Sequence, residues 1–333
     1  MANPLNSAIG WLGQGIHQAT LGYLASRVGA HHGFMARRIR WPFESWEPYR
    51  RPVLHTWRAG AIGDVLMCTP TLRRLKEMNP DCHVTFYTHY PALVSGLPFI
   101  DDVRLMESVP RNAIQLRYER SFMPTRHLAR IMGDELGLDV IDTHPSCSLN
   151  IESRSEVLQQ ISALPRPWIV LSQSAGPWTP NKQWPLENWA RLIEKLLKWA
   201  SVIEIGVAKL SRADSPLWNA ERYCDLRGIQ SLENLVATLS LADLHVGPPS
   251  GPMHIAAAFR VPAVIVIGGY ELPTCTEYDG NISLYTQLPC APCWRRDPCP
   301  FDLECLRNIA PVKVEQSLLS LWKSISKSGA NKT

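Results

Sequence analysis

The sequence predicts an α/β protein of two doubly wound domains facing a cleft, preceded by a helical extension. Three observations carry this expectation. From residue 52 onward, short apolar runs that read as buried strands alternate with amphipathic helical stretches. The series runs twice, interrupted by a less periodic stretch around residues 140–165. Loops of small residues follow the first strand of one series and a late strand of the other, where open α/β sheets hold their ligands.

The elements follow in order. In residues 1–50, Leu5, Ile9, Leu12, Ile16, Leu21, Leu24 and Val28 recur mostly at steps of three or four, the spacing of one helical stripe. Arg37, Arg38, Arg40, Trp41 and Trp46 follow as a basic, aromatic collar. Such a segment suits packing on the first domain or on a second subunit, the commoner use of an amphipathic helix, or peripheral contact with the inner face of a membrane. Pro52 to Trp57 reads as a strand, Arg58 to Asp64 as a glycine-containing loop, and Val65, Cys68, Leu72 and Leu75 as one helical face. Pro70 can delay the start of the regular helix. Strands are expected at 82–88 and 112–118 and a helix over 124–137, giving a first domain of 51–160. The second domain, 161–310, reads as strand 168–172, loop 173–184, helix 185–198 and strands 201–205 and 222–226. Helix 231–242, strand 243–247, helix 252–260 and strand 262–267 complete it. A last helix, near 312–326 within a tail of 311–333, could return to the first domain.

Composition narrows the classes. Of 333 residues, 45% are hydrophobic and 19% charged, the profile of a globular chain long enough for two cores. A formal net charge of +4 gives no reason to expect a nucleic-acid partner, and is compatible with an anionic substrate or membrane surface. No run approaches the roughly 18 apolar residues of a transmembrane helix. The opening Met1-Ala-Asn-Pro-Leu-Asn lacks a secretory pattern, so a cytoplasmic location is expected. Nine cysteines, an odd count, then argue for reduced thiols or a metal site over a disulfide framework.

The sharpest local pattern is Gly247-Pro-Pro-Ser250-Gly251-Pro252-Met253-His254, a strand end, a tight loop and a helix start. Proline favours the first helical turn and Ser250 is placed to cap it. Free amides and the helix dipole there make an anion site that suits a diphosphate, although an ordinary capped helix would look the same. His254 either bonds phosphate or packs behind the helix. Lys182, after a buried strand, would reach a diphosphate as a point charge, with Ser172 and Ser174 adding hydroxyls. Glu204, at a strand end, is placed to meet a ribose hydroxyl.

Arg58-x-Gly60-x-x-Gly63-Asp64-Val-Leu-x-x-Thr-Pro-x-Leu72 resembles the opening motif of glycosyltransferase family 9, the heptosyltransferases. Gly176 followed by Lys182-x-Trp184-Pro185-x-Glu187-x-Trp189 resembles their donor-phosphate segment. Asp225-Leu-x-Gly228 with Leu232, and Ser250-Gly-Pro-Met-His254 with Ala256 and Ala257, resemble two later segments. The four occur in family order over about residues 52–310. The resemblance implies two Rossmann-like domains of the GT-B type and an inverting transfer of heptose, or a related sugar, from a nucleoside diphosphate such as ADP-heptose. The acceptor would be a lipopolysaccharide core or other glycan. It implies Asp64 as the catalytic acid–base residue, where an N-cap would be its plain structural role, with Arg58, Gly60 and Gly63 on the acceptor side of the cleft. No metal is expected for catalysis. An epimerase or a non-catalytic binding subunit of the same shape are the alternative readings. Where family members often carry a polar pair before Ser-Gly, this chain has Pro248-Pro249, which removes a side-chain partner from the donor sugar.

Four cysteines fall within sixteen residues: Cys290-x-x-Cys293, Cys299 and Cys305. Four thiolates suit a tetrahedral structural zinc or a single iron. The resemblance adds that the autotransporter branch, which modifies protein acceptors, carries cysteine-bound iron there, and it implies an oligomer. Cys68, Cys82, Cys147, Cys224 and Cys275 read as small buried hydrophobes.

Overall fold

The computed structural model describes residues 47–121, 123–206, 221–228 and 231–330. The N-terminal stripe and the basic, tryptophan-bearing collar lie outside the described residues.

The first half holds β1 (Val53–Arg58), α1 (Ile62–Leu66), α2 (Thr69–Met78), β2 (His83–Thr88), β3 (Asp102–Leu105), β4 (Ile114–Gln115) and α3 (Leu128–Asp134). The second holds α4 (Ile151–Ile161), β5 (Trp168–Ser172), α5 (Leu186–Leu196), β6 (Ser201–Ile205), β7 (Tyr223–Asp225), α6 (Leu232–Leu241), β8 (Leu244–Gly247), α7 (Gly251–Ala258), β9 (Ala263–Gly268), β10 (Ile282–Tyr285), α8 (Glu304–Arg307) and α9 (Pro311–Ala330). The strands form two sheets, of order β3-β2-β1-β4 and β10-β9-β8-β5-β6-β7. Every pairing is parallel. In each sheet the strand order reverses beside the first strand, between β1 and β4 and between β5 and β8. Those switch points are where doubly wound sheets open a crevice.

Burial on both faces explains the strand composition. All five side chains of β5 and of β6 are buried, so both strands are mainly apolar, with Ser172, Ser201 and Glu204 the buried polar exceptions. Their side chains still alternate. Trp168, Val170, Ile203 and Ile205 join a core with Val236, Ala237 and Leu239 of α6. Ile169, Leu171, Val202, Leu244 and Val246 face the other way, onto Trp184, Trp189 and Leu192. Trp184 and Trp189 meet edge-to-face at 4.8 Å inside that second cluster, so both are core residues.

Several boundaries differ from the sequence expectation. The strand expected at 112–118 shortens to Ile114–Gln115, with Arg58 donating to the carbonyl of Leu116 just beyond it. The helix expected over 124–137 is only Leu128–Asp134, capped by the His127 ring accepting from the Ala129 amide. The weakly periodic stretch contains a full helix, α4, which packs on α6. It buries only Val157 and Ile161, too little to impose a period. The last helix does not return to the first half in its main packing. Val314 and Leu318 are fully buried in the second cluster, and α9 packs on α5, β8 and β9, completing the cover of that sheet face. Among the described residues, no helix is long and apolar enough to cross a membrane.

Candidate active site

The carboxyl ends of the two sheets meet at the candidate site. β1 delivers Arg58, which is 3% exposed, into the loop before α1. Its Nη2 lies 2.6 Å from Asp64 Oδ1 and its Nη1 donates to Glu119 at 2.9 Å. The Tyr118 ring stacks below the guanidinium at 4.7 Å. Burial alone would lower the Arg58 pKa, but the hydrogen bond to Glu119 and the charges of Asp64 and Glu119 outweigh it and hold it above normal. Asp64 Oδ2 also accepts from the Ala61 amide at 2.9 Å, so the residue serves the start of α1 while turned toward Arg58. Gly60 takes φ +131°, and a Cβ there would stand 2.6 Å from Asp64 Oδ2. Glycine therefore lets the loop close over the carboxylate.

The loop opposite comes from the second sheet. Ser250 precedes α7, yet its hydroxyl donates to the Pro248 carbonyl at 3.2 Å and makes no cap. The expectation that Ser250 caps the helix is thus corrected: Ser250 is extended and its hydroxyl turns back to Pro248, and the amides of the first turn have no side-chain cap. Pro252 sits in that first turn, and Met253 is buried behind it. His254 is buried, shares a 2.6 Å hydrogen bond with the Tyr278 hydroxyl, and is pushed down to about 3 by burial, with the positive neighbours His127 and Lys182 adding to the shift against Asp64. It is a neutral ring, which favours packing over phosphate pairing. α1 lies directly on α7: a Cβ on Gly63 would stand 2.6 Å from His254 Cδ2.

Lys182 ends the short turn Pro180–Lys182. Its Nζ lies 2.8 Å from Glu271 Oε2 and 3.5 Å from the Pro249 carbonyl, and 4.5 Å above the Tyr270 ring. Ser172, at the end of β5, has a buried hydroxyl with no partner among the described residues. Ser174 instead shapes its own loop, accepting from the Gly176 amide at 3.1 Å and Gln183 Nε2 at 3.3 Å. Glu204 is held inside the sheet end, 2.9 Å from Arg227 Nη1 and bonded to the Tyr223 hydroxyl, and burial raises its pKa against those two partners. Sequence reasoning missed Glu119, Tyr270 and Glu271. None belongs to a repeating pattern, and each reaches the site from a loop beyond a strand end.

The cysteine-bearing connection from β10 to α8 packs behind the lysine loop. Thr179 and Asn181 donate to the Arg295 carbonyl at 2.9 and 2.8 Å, and Asn181 also to the Asp297 carbonyl at 2.8 Å. Cys293 and Trp294 donate their amides to Gly269 and Tyr270 carbonyls at 3.0 Å. Burial, and then the neighbouring thiols, raise Cys293 and Cys305. Even so, among the described residues no group of three or more His, Cys, Asp or Glu could hold a metal ion. Cys290, Cys293, Cys299 and Cys305, expected as a four-thiolate centre, lie near enough to act on one another's thiols without forming such a group. The Cys293 backbone amide is anchored to Gly269, and Cys299 Sγ accepts from the Phe301 amide at 3.4 Å. Elsewhere Cys68, Cys82 and Cys275 are buried, while Cys147 and Cys224 are half-buried.

With this geometry in place, comparison with known proteins is decisive for the family. The family model for glycosyltransferase family 9 (heptosyltransferase) matches residues 111–298, more than half of the chain. The chain belongs to glycosyltransferase family 9. Among curated proteins, lipooligosaccharide heptosyltransferase 2 of Campylobacter jejuni is 25% identical over 97 residues, 28% of this chain and 30% of that one. The autotransporter heptosyltransferase TibC of Escherichia coli is 28% identical over 132 residues, 35% of this chain and 31% of that one. The chain thus spans under half the length of the curated relatives it matches. Solved family structures share the fold over a longer stretch. The glycosyltransferase family 9 protein of Veillonella parvula superposes with a TM-score of 0.66 at 18% identity, covering 82% of this chain and 97% of that one. Dodecameric, iron-containing TibC in complex with ADP-D-beta-D-heptose gives 0.65 at 20% identity, covering 87% and 83%. E. coli ADP-heptose lipopolysaccharide heptosyltransferase II gives 0.61 at 18%, covering 82% and 100%.

Proposed function

We propose that this chain is an inverting glycosyltransferase that moves heptose, or a closely related sugar, from a nucleoside diphosphate to a glycan acceptor such as lipopolysaccharide core. ADP-heptose is the donor to test first, since family members of the same fold have been solved with ADP and with ADP-heptose. The observation that carries the reading is the apposition of two unlike loops. The carboxylate of Asp64 heads one, and the uncapped start of α7 with Lys182 forms the other.

The chemistry follows from that apposition. The diphosphate lies at the α7 start, where backbone N–H groups and Lys182 take up the charge that grows on the leaving oxygen. Asp64 accepts the proton of the acceptor hydroxyl as its oxygen attacks the anomeric carbon. The bond from that carbon to the phosphate oxygen breaks on the opposite face, so the anomeric configuration inverts. Arg58 keeps the Asp64 carboxylate aimed, and Glu119 and Tyr118 keep Arg58 in place.

A second reading, transfer to a protein acceptor within an oligomer, is favoured by the likeness to TibC and by the cysteine-rich connection behind the donor loop. Purified protein offered ADP-heptose with either lipopolysaccharide core or an autotransporter passenger domain separates the two by which acceptor gains mass. Asp64→Asn is expected to lower turnover about 100- to 10,000-fold while donor affinity stays near wild type. Turnover that survives the change removes the base assignment. Absence of binding to ADP, GDP, UDP and CDP alike would move the chain to a non-catalytic role.

A further inference from the structure

Glu271 lies just past the end of β9, outside the four sequence motifs though within the stretch the family model matches, and it is 2% exposed. Both oxygens are engaged. Lys182 Nζ lies 2.8 Å from Oε2, and the Thr276 hydroxyl donates to Oε1 at 2.8 Å. Taking a carboxylate and an ammonium out of water costs more than such a pair usually returns, so the pair is poorly explained as a stabilising device. Its position offers another explanation. The same Nζ points toward the Pro249 carbonyl at 3.5 Å and rests over the Tyr270 ring at 4.5 Å, beside the uncapped first turn of α7.

We propose that Glu271 is a positioning residue that holds Lys182 at the diphosphate loop before the nucleotide arrives; this rests on the donor-site reading above. A free lysine side chain surrenders much of its rotamer freedom when it is ordered. Here the carboxylate, the Pro249 carbonyl and the Tyr270 ring together confine the ammonium. The carboxylate takes one N–H of the ammonium, and the Pro249 carbonyl lies at the far limit of a second, which leaves the third for a phosphate oxygen. Thr276 fixes the rotamer of Glu271, and Tyr270 limits where the lysine stem can swing. The stiff Pro248-Pro249 pair contributes a carbonyl in place of the side chain it lacks. The negative charge of Glu271 opposes an incoming diphosphate, so the assignment makes a sign-dependent claim: the gain from fixing Lys182 exceeds that repulsion.

The test is a double-mutant cycle read by calorimetry on the full chain, with ADP, GDP, UDP and CDP as probes. In the wild-type background Glu271→Gln is expected to weaken binding of the preferred nucleotide on the order of tenfold. In a Lys182→Met background the same change is expected to cause no loss, and binding can only tighten, because without the lysine only the repulsion between Glu271 and the diphosphate is left to remove. Thr276→Val, a near-isosteric change that leaves the ion pair intact, should give a smaller loss that also vanishes without Lys182. It serves if Glu271→Gln folds poorly. Unchanged or tighter binding by the Glu271 and Thr276 variants in the wild-type background overturns the proposal, as does an equal loss in both backgrounds, which a merely structural role would give. A wild-type chain that binds none of the four nucleotides overturns the donor-site reading itself, and this assignment with it.

Discussion

Arg58 shows how much of the site depends on one side chain with a fixed shape. Its guanidinium bonds Asp64 and Glu119 together while sitting 4.7 Å over the Tyr118 ring, a geometry suited to a planar fork rather than a point-charge ammonium. Arg58→Lys should therefore keep the charge and lose the aim. We expect turnover to fall on the order of tenfold with donor affinity unchanged, since one charge-assisted hydrogen bond is lost on the acceptor side only. Steady-state kinetics with donor calorimetry would check it, and a matching loss in donor affinity would place Arg58 elsewhere in the mechanism. Residues of this kind were legible in the sequence because they sit at fixed spacing inside a motif: Arg58, Gly60, Gly63 and Asp64, and Ser250 to His254. Glu119 and Glu271 were not, because what gives them meaning is a partner 61 or 89 residues away that only the topology supplies.

Among elements, the contact between α1 and α7 defines the site, and it depends on an absent side chain. A methyl group on Gly63 would stand 2.6 Å from Cδ2 and 3.0 Å from Nε2 of His254, a buried ring tied to Tyr278 that has little room to give. The position has no left-handed backbone, so Gly63→Ala acts through sterics alone. Overpacking of this kind costs about 1–3 kcal/mol, and the two helices must separate to accept it. The expected result is a folded protein with a lower thermal midpoint and a reduced kcat/KM. Wild-type values for both would mean that the two loops are not held in contact. The same scale explains which elements the sequence disclosed. The central strands β2, β5, β6, β8 and β9 bury nearly all their side chains, and β1 buries alternate ones, so each presents a strand signal. Edge strands β3 and β10 keep most side chains partly exposed, and α4 buries two residues, so each lacks a clear period.

At the scale of the whole molecule, the two halves meet around Tyr278, and that joint carries a pH dependence. His127 and His144 reach it from the first half and His254 from the second, with ring centroids 5.3, 5.5 and 5.7 Å from the phenol. Beside them the Cys275 thiol donates to the Pro124 carbonyl and the Thr274 hydroxyl to the Thr125 carbonyl, both at 3.1 Å. Burial pushes His254 down to about 3 and His127 to about 4, and His245, inside the second sheet, also to about 4. All three lie below the ordinary histidine value of 6.5, so between 6.5 and 4 the unfolded chain binds more protons than the folded one. Their contribution is complete above pH 6.5 and drains away as the pH falls toward 4, at up to about 1.4 kcal/mol per pH unit for each ring. Buried Glu135 and Glu204 are raised and act in the opposite direction near the carboxylate range, so the net slope is smaller than three rings would give. Urea unfolding followed across this interval should show a midpoint that falls steadily with acid. His254→Gln, which keeps a polar group for Tyr278 but cannot titrate, should flatten the slope by the share of one proton. Because His254 also lies against α1, acid should part the two loops before either sheet unfolds, so protection of the α1 and α7 amides from exchange is expected to fail first. A flat profile, or loss of the sheet amides ahead of those helices, would show that the joint is not where the molecule yields.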